Sequence, residues 1–129
     1  MQWISRIMVG LVGLLSLQGA WHHWFRTALL ADERGMQPLG AIGRANIRAD
    51  VGGIFLAIGI FALMAAWKRS SAWTLGAIVI VGSTLTGRFV SAGLDGLTSR
   101  EAMPMGIEAG VIAILLFGWA MFKKGPEGL

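Results

Sequence analysis

Hydrophobic residues gather along the chain in four blocks, at about residues 4–25, 49–67, 72–94 and 105–122. A helix needs about 20 mainly apolar residues to cross roughly 30 Å of hydrocarbon. Only helices and closed barrels satisfy the backbone within lipid, and these blocks are too long and continuous for barrel strands. The pattern therefore predicts an all-α integral membrane protein, an antiparallel four-helix transmembrane bundle made of one domain.

The connections between the blocks differ in length. The segment 26–48 is the longest, is broken by Pro38, and is the only connection with room for extra structure, such as a short interfacial helix. The polar turn 68–71 predicts a helical hairpin between the second and third spans. Pro104 is predicted at the first position of the fourth helix. Gln18 stands where a signal-peptide cleavage site needs a small residue, so the first block is interpreted as an uncleaved helix.

Composition agrees with a membrane protein. Of 129 residues, 55% are hydrophobic and 14% are charged, whereas about a quarter of a soluble domain is charged. The chain has no cysteine, which excludes disulfides and thiolate metal sites. The net charge is +4. The basic residues lie at segment ends, which favours interfacial anchoring and predicts no nucleic-acid partner.

The distribution of basic residues also predicts an orientation. Arg6, Lys68-Arg69 and Lys123-Lys124 mark one side of the membrane. Five arginines mark the other side: Arg26, Arg34, Arg44, Arg48 and Arg100. Dense lysine-containing clusters beside span ends favour the cytoplasmic side, so both termini are predicted there.

A cluster of polar residues is predicted in the opposite half of the membrane. Its members are Arg48, Asp50, Arg88, Ser91, Asp95 and Glu108. Arg88 is costly within a bilayer unless it is paired, and its side chain points back toward the start of its helix, away from Asp95. Glu108 or Asp50 is therefore the better partner. Two interpretations stay open: a salt-bridge network that fixes helix register, and a pocket for a substrate, an ion or a lipid headgroup.

Small residues form a second pattern. Ser83, Gly87 and Ser91 recur every four residues on the third span, and Gly52-Gly53 opens the second. Such positions let another helix backbone come close. They predict either packing within the bundle or a docking face for another membrane protein or a second copy of the chain.

The sequence Trp21-His22-His23-Trp24 invites a third interpretation. A single histidine, His23, could serve as the axial ligand of a haem, a chlorin or a metal. Neighbouring imidazoles point about 100° apart on a helix, so the two cannot share one ion. Flanking tryptophans at a span end are typical of an interfacial aromatic belt, which the pattern favours. No cofactor, metal site or catalytic residue is predicted, whereas a bound lipid is compatible with the polar cluster.

The segment 46–116 resembles bacterial four-helix membrane proteins of family 4345 among the domains of unknown function. The matching pieces, in order, are Arg48-Ala49-Asp50-Val51-Gly52-Gly53, Gly59, Lys68-Arg69, Gly87-Arg88-Phe89-Val90-Ser91, Asp95-Gly96 and Glu108. Val51 departs from the aromatic residue common in the family, and residues 26–45 resemble nothing in it. The resemblance implies the fold, the polar cluster and a multi-pass location in the bacterial plasma membrane. It implies no activity.

Three functions are compatible with these features. The favoured hypothesis is a non-catalytic accessory or scaffold subunit of a larger membrane assembly. The alternative is a binding or transport module that holds a hydrophobic or anionic ligand near Arg88. An intramembrane enzyme, supported only by the paired carboxylates, is the least favoured.

Overall fold

The structure, a computed structural model, describes residues 1–125 and contains only helices within that range. The helices are α1 (Gln2–Phe25), α2 (Thr27–Glu33), α3 (Gly40–Asn46), a π-helical segment (Ile47–Gly52), α4 (Gly53–Lys68), α5 (Ser71–Asp95) and α6 (Ser99–Lys123). Helix α3, the π-helical segment and α4 follow one another without a break.

Four helical stretches are long and apolar enough to cross a membrane: Gln2–Phe25, Gly40–Lys68, Ser71–Asp95 and Ser99–Lys123. Neighbouring pairs pack as a helical bundle, with α1 against α4, α4 against α5, α5 against α6, and α6 against α1. The prediction of an all-helical protein with four long apolar helices is therefore confirmed.

The second long helix begins nine residues before residue 49, the predicted start of the second apolar block. Helix α3 begins at Gly40 and runs through the π-helical segment into α4. Gly43 and the arginines around it do not break the helix, because only Pro38 removes a backbone donor in this region. Helix α2 occupies much of the remaining connection, whose non-helical parts are Arg26 and residues 34–39.

The prediction that Pro104 occupies the first position of the fourth helix is wrong. Helix α6 begins at Ser99, and the backbone N–H and the hydroxyl of Thr98 both donate to Glu101 Oε2, at 3.3 and 3.1 Å. This capping-box arrangement fixes the helix start. Pro104 therefore lies inside α6, where its missing N–H leaves the Arg100 carbonyl without its helical partner.

One end of the bundle, here called the closed half, has a continuous apolar core. The core residues are Val9, Val12, Ile58, Ala62, Ala65, Ala77, Val81, Leu115 and Phe122. They come from the first halves of α1 and α5 and from the second halves of the second long helix and α6. Small residues permit this closure: a Cβ on Gly59 would lie 3.2 Å from the Gly13 carbonyl oxygen, so α1 and α4 meet backbone to backbone there.

The other end, here called the open half, is packed on one side only. Helix α1 continues to bury Ala20 and His23 against the second long helix, and α2 buries Thr27 and Ala31. By contrast, α5 has no buried residue after Val81, and α6 has none before Leu115. The space left between these elements is the candidate site.

Candidate functional site: an amphiphilic cavity

A cavity of about 750 Å³ occupies the open half. Its walls are apolar, with side chains from three long helices: Val51, Ile54, Phe55, Ile58, Val81, Met103, Ile107 and Val111. Charged residues from α2, α5, α6 and the 34–39 connection also line it: Glu33, Arg34, Arg88, Arg100, Glu101 and Glu108. The cavity thus combines a hydrophobic chamber with ionic groups.

Arg88 and Glu108 form the central ion pair of the cavity. Arg88 Nε donates to both carboxylate oxygens of Glu108, each at 3.0 Å, and the two side chains are 26% and 19% exposed. Within residues 1–125, the terminal amino groups of Arg88 have no hydrogen-bond partner in the protein. Glu108 therefore holds the guanidinium in place and balances its charge, while four of its N–H donors stay free to bind a ligand.

Arg34 brings a second guanidinium to the same cavity. Its Cζ lies 5.3 Å from the centre of the Phe55 ring, a cation–π contact. Partial burial lowers the pKa of Arg34, repulsion from Arg88 lowers it further, and attraction to Glu108 and Glu33 offsets part of the change. The side chain stays charged, because an arginine pKa lies far above neutral pH. Two cations thus repel each other across the cavity.

Arg100 links α6 to α2. Its Nη2 donates to the backbone carbonyls of Asp32 and Glu33, at 3.4 and 3.3 Å. These carbonyls belong to the last turn of α2, where the regular α-helical partners are lacking, and the Asp32 carbonyl also accepts from the Gly35 N–H at 3.0 Å. The contact holds the end of α2, and with it Glu33 and Arg34, beside the start of α6.

The structure brings together only two of the six residues predicted as one polar cluster, Arg88 and Glu108. Asp50 and Asp95 are exposed and make no ion pair among the described residues, and Ser91 is only half buried. Asp50 belongs to the π-helical segment, whose hydrogen bonds reach one residue further than in an α-helix. A face counted with the α-helical period is therefore misplaced there. Asp95, at the end of α5, stays apart from Arg88, as the side-chain direction predicts.

Arg48, the sixth predicted member, belongs to a different contact. Its Nε donates to the Trp24 carbonyl at 2.8 Å, and Trp24 Nε1 donates to the Arg48 carbonyl at 3.1 Å. A Cβ on Gly52 would lie 2.5 Å from Trp24 Nε1, so only glycine leaves room for the indole. We call Trp24, Arg48 and Gly52 the α1–α4 clamp, because they join the end of α1 to the π-helical segment that leads into α4.

The remaining small residues do not pack within the described bundle. A Cβ on Gly53 or Gly87 would meet nothing within 4 Å, and Ser83 is exposed with its hydroxyl bonded to the Val79 carbonyl at 2.7 Å. Of the four predicted packing residues, only Gly52 is buried against another helix. Ser83 and Gly87 instead present a bare face of α5.

His23 lies inside the protein and not in an aromatic belt. It is 2% exposed, and its ring stacks on Phe55 with the ring centres 4.9 Å apart. Its Nδ1 lies 2.6 Å from the Gly19 carbonyl and must donate, whereas Nε2 has no partner among the described residues. No group of three or more histidine, cysteine or acidic side chains gathers in residues 1–125 in a way that could hold a metal ion. Phe55 lines the cavity, but His23 does not.

Sequence reasoning missed several contributors to the cavity, among them Glu33, Arg34, Phe55 and Arg100. Arg34 and Arg100 were interpreted only as markers of membrane orientation, and Phe55 as one apolar residue among many. The Thr98-x-x-Glu101 pattern is a helix-start signal that places Arg100 in the first turn of α6. Nothing local in the sequence indicates that α2 folds back to the same site.

Comparison with known proteins finds no matching family model, no similar curated protein and no similar solved structure. Membership of family 4345 therefore stays a prediction. The site has to be interpreted from its own geometry.

Proposed function

We propose that the protein is a four-span membrane protein that binds an amphiphile in the cavity, with an anionic group at Arg88. The observation that carries this proposal is the combination of apolar walls with an arginine whose amino groups are free. A volume of about 750 Å³ lies within the range of roughly 300–1,000 Å³ common for small-molecule sites. A hydrophobic body would lie along the walls and an anionic group would accept hydrogen bonds from Arg88.

Membrane insertion is supported by the outer surface of the bundle. Large apolar side chains are more than half exposed along the long helices: Leu14, Leu15, Val79, Phe89 and Val90 among them. So many exposed large apolar side chains are unusual on soluble monomers and suit contact with lipid. The proposal includes an antiparallel arrangement of the four spans, a location in the bacterial plasma membrane, and both termini in the cytoplasm, as the basic clusters predict.

Arg88 and Glu108 have complementary parts in this function. An arginine within a bilayer needs a partner, and Glu108 supplies it through Nε alone. The remaining donors have the geometry that suits a carboxylate or phosphate. Arg88 is thus the ligand-binding residue, and Glu108 the residue that positions it.

Blocking the cavity with a single side chain tests the proposal. Thr84 lines the cavity, and its hydroxyl donates to the Val81 carbonyl of the same helix. Thr84→Phe removes this hydroxyl and adds a ring to the cavity, and no other side chain loses a hydrogen-bond partner. Ser83→Phe adds the same ring one residue away, on the exposed face. The affinity of the purified protein for a dansyl-labelled fatty acid is measured by fluorescence.

Thr84→Phe and Arg88→Gln should each weaken this binding at least about tenfold. Thr84→Phe fills space that the ligand needs, and Arg88→Gln removes a charge-assisted hydrogen bond to the ligand. Ser83→Phe should leave it unchanged. Equal affinities for Thr84→Phe, Ser83→Phe and the unchanged protein would contradict a binding function for this cavity.

A second candidate function, an accessory subunit of a membrane assembly, is favoured by the bare face of α5. Ser83 and Gly87 are exposed, and a Cβ on Gly87 would meet no described residue within 4 Å, so the close approach that small residues permit is left to another molecule. Under this proposal Ser83→Phe removes co-purifying membrane proteins, whereas Thr84→Phe retains them. Neither proposal assigns a catalytic residue.

A further inference from the structure

The positive and negative charges that line the cavity are equal in number, but only some of these groups have hydrogen-bond or ion-pair partners. Three arginines and three glutamates line it: Arg34, Arg88, Arg100, Glu33, Glu101 and Glu108. A ligand of large net charge would disturb this balance. A ligand that carries one charge of each sign would preserve it, provided that partners of both signs are free.

Two of the cations have free donors. Arg88 uses only Nε toward Glu108. The Arg34 guanidinium makes a cation–π contact with Phe55 but no hydrogen bond within residues 1–125. Arg100, in contrast, donates to two backbone carbonyls. Arg34 and Arg88 therefore offer the two planar donor groups that suit a phosphate, and an anion between them would relieve their mutual repulsion.

Of the three carboxylates, one is free. Glu108 is paired with Arg88, and Glu101 accepts from Thr98 at the start of α6. The Glu33 carboxylate makes no hydrogen bond or ion pair among the described residues, although the residue lines the cavity beside Arg34. A cationic group close to a phosphate would meet its partner there.

We propose that the ligand is a zwitterionic membrane phospholipid whose phosphodiester binds between Arg34 and Arg88 and whose primary ammonium donates to Glu33. This proposal rests on the amphiphile-binding function above and names its ligand class. The apolar walls receive part of the acyl chains. A primary ammonium can donate hydrogen bonds to a carboxylate, whereas a trimethylammonium cannot, and a glycerol headgroup lacks the positive charge.

Native mass spectrometry of the full chain in neutral detergent tests this assignment with three lipids of identical acyl chains. Phosphatidylethanolamine should bind about tenfold more tightly than phosphatidylglycerol or phosphatidylcholine, as expected for one additional charge-assisted hydrogen bond. Glu33→Gln should remove this preference and leave the affinity for phosphatidylglycerol equal or higher. Arg34→Gln should weaken the binding of all three lipids, because each carries the phosphodiester.

Asp32→Asn is the matched control, since it makes the same charge change on the neighbouring residue, which does not line the cavity. It should retain the preference for phosphatidylethanolamine. Loss of that preference in both variants to the same extent would overturn the assignment to Glu33. Millimolar inorganic phosphate should not displace the lipid; complete displacement would overturn the lipid as the ligand and favour free phosphate.

The failure of this inference is distinguishable from the failure of the proposed function. If the three lipids bind alike and Thr84→Phe abolishes all binding, the cavity binds amphiphiles without selecting the ammonium, and only the inference falls. If Thr84→Phe has no effect on any lipid, both fall.

Discussion

The closed and open halves of the bundle are built from the same four helices, yet they differ in how these helices meet. In the closed half, Ala62, Ala65 and Ala77 are fully buried, and their small side chains let neighbouring helices approach. In the open half, α5 and α6 carry Arg88 and Glu108 at the corresponding interface, and a cavity remains. An ion pair that stays partly hydrated cannot pack as densely as methyl groups. The placement of charge thus decides where the bundle closes.

The largest expected effect contrasts two neighbouring leucines of α6. Leu115 is fully buried in the core of the closed half, whereas Leu116 is 47% exposed. Leu115→Ala leaves a cavity and should lower the free energy of unfolding by about 2–5 kcal/mol. Leu116→Ala should lower it by about 0.5 kcal/mol or less. Denaturant unfolding in mixed micelles, followed by circular dichroism, measures both, and similar losses would mean that the closed half is not the stability core.

A smaller effect is expected at the ion pair of the open half. Arg88→Met leaves the Glu108 carboxylate without its partner, and Glu108→Gln does the same to Arg88. A double-mutant cycle on the free energy of unfolding should give a coupling of about 1–2 kcal/mol, because the side chains touch but are partly exposed. Additive effects of the two substitutions would show that the pair does not hold α5 to α6.

The smallest expected effect concerns the α1–α4 clamp. Gly52→Ala places a Cβ against the Trp24 indole and should break its hydrogen bond to the Arg48 carbonyl, at a cost of about 1 kcal/mol. Gly53→Ala is the control, since its Cβ meets nothing and alanine favours the helix. Thermal unfolding in detergent compares them. A lower midpoint for Gly53→Ala than for Gly52→Ala would contradict the clamp.

The positions of the helix ends show how far local signals reach. The Thr98-x-x-Glu101 pattern predicts the start of α6 better than Pro104 does, because a capping box satisfies free N–H groups whereas proline only tolerates their absence. The beginning of the second long helix, at Gly40, has no comparable signal. Its continuity depends on the π-helical segment and the clamp, and both involve contacts with α1.

The sequence alone determined four long apolar helices, the short turn after Lys68, and an arginine that needs a carboxylate partner. These follow from hydrophobic length and from the cost of an unpaired charge in an apolar environment. Only the tertiary structure decided that Glu108 is this partner, that Arg48 belongs to a clamp, and that Arg34 and Glu33 reach the same cavity. The physical reason is that periodicity gives the rotation of a residue on its own helix, whereas contacts also depend on register and distance between helices. Here the π-helical segment changes the register of the second long helix, and the position of α2 brings Glu33 and Arg34 to the cavity.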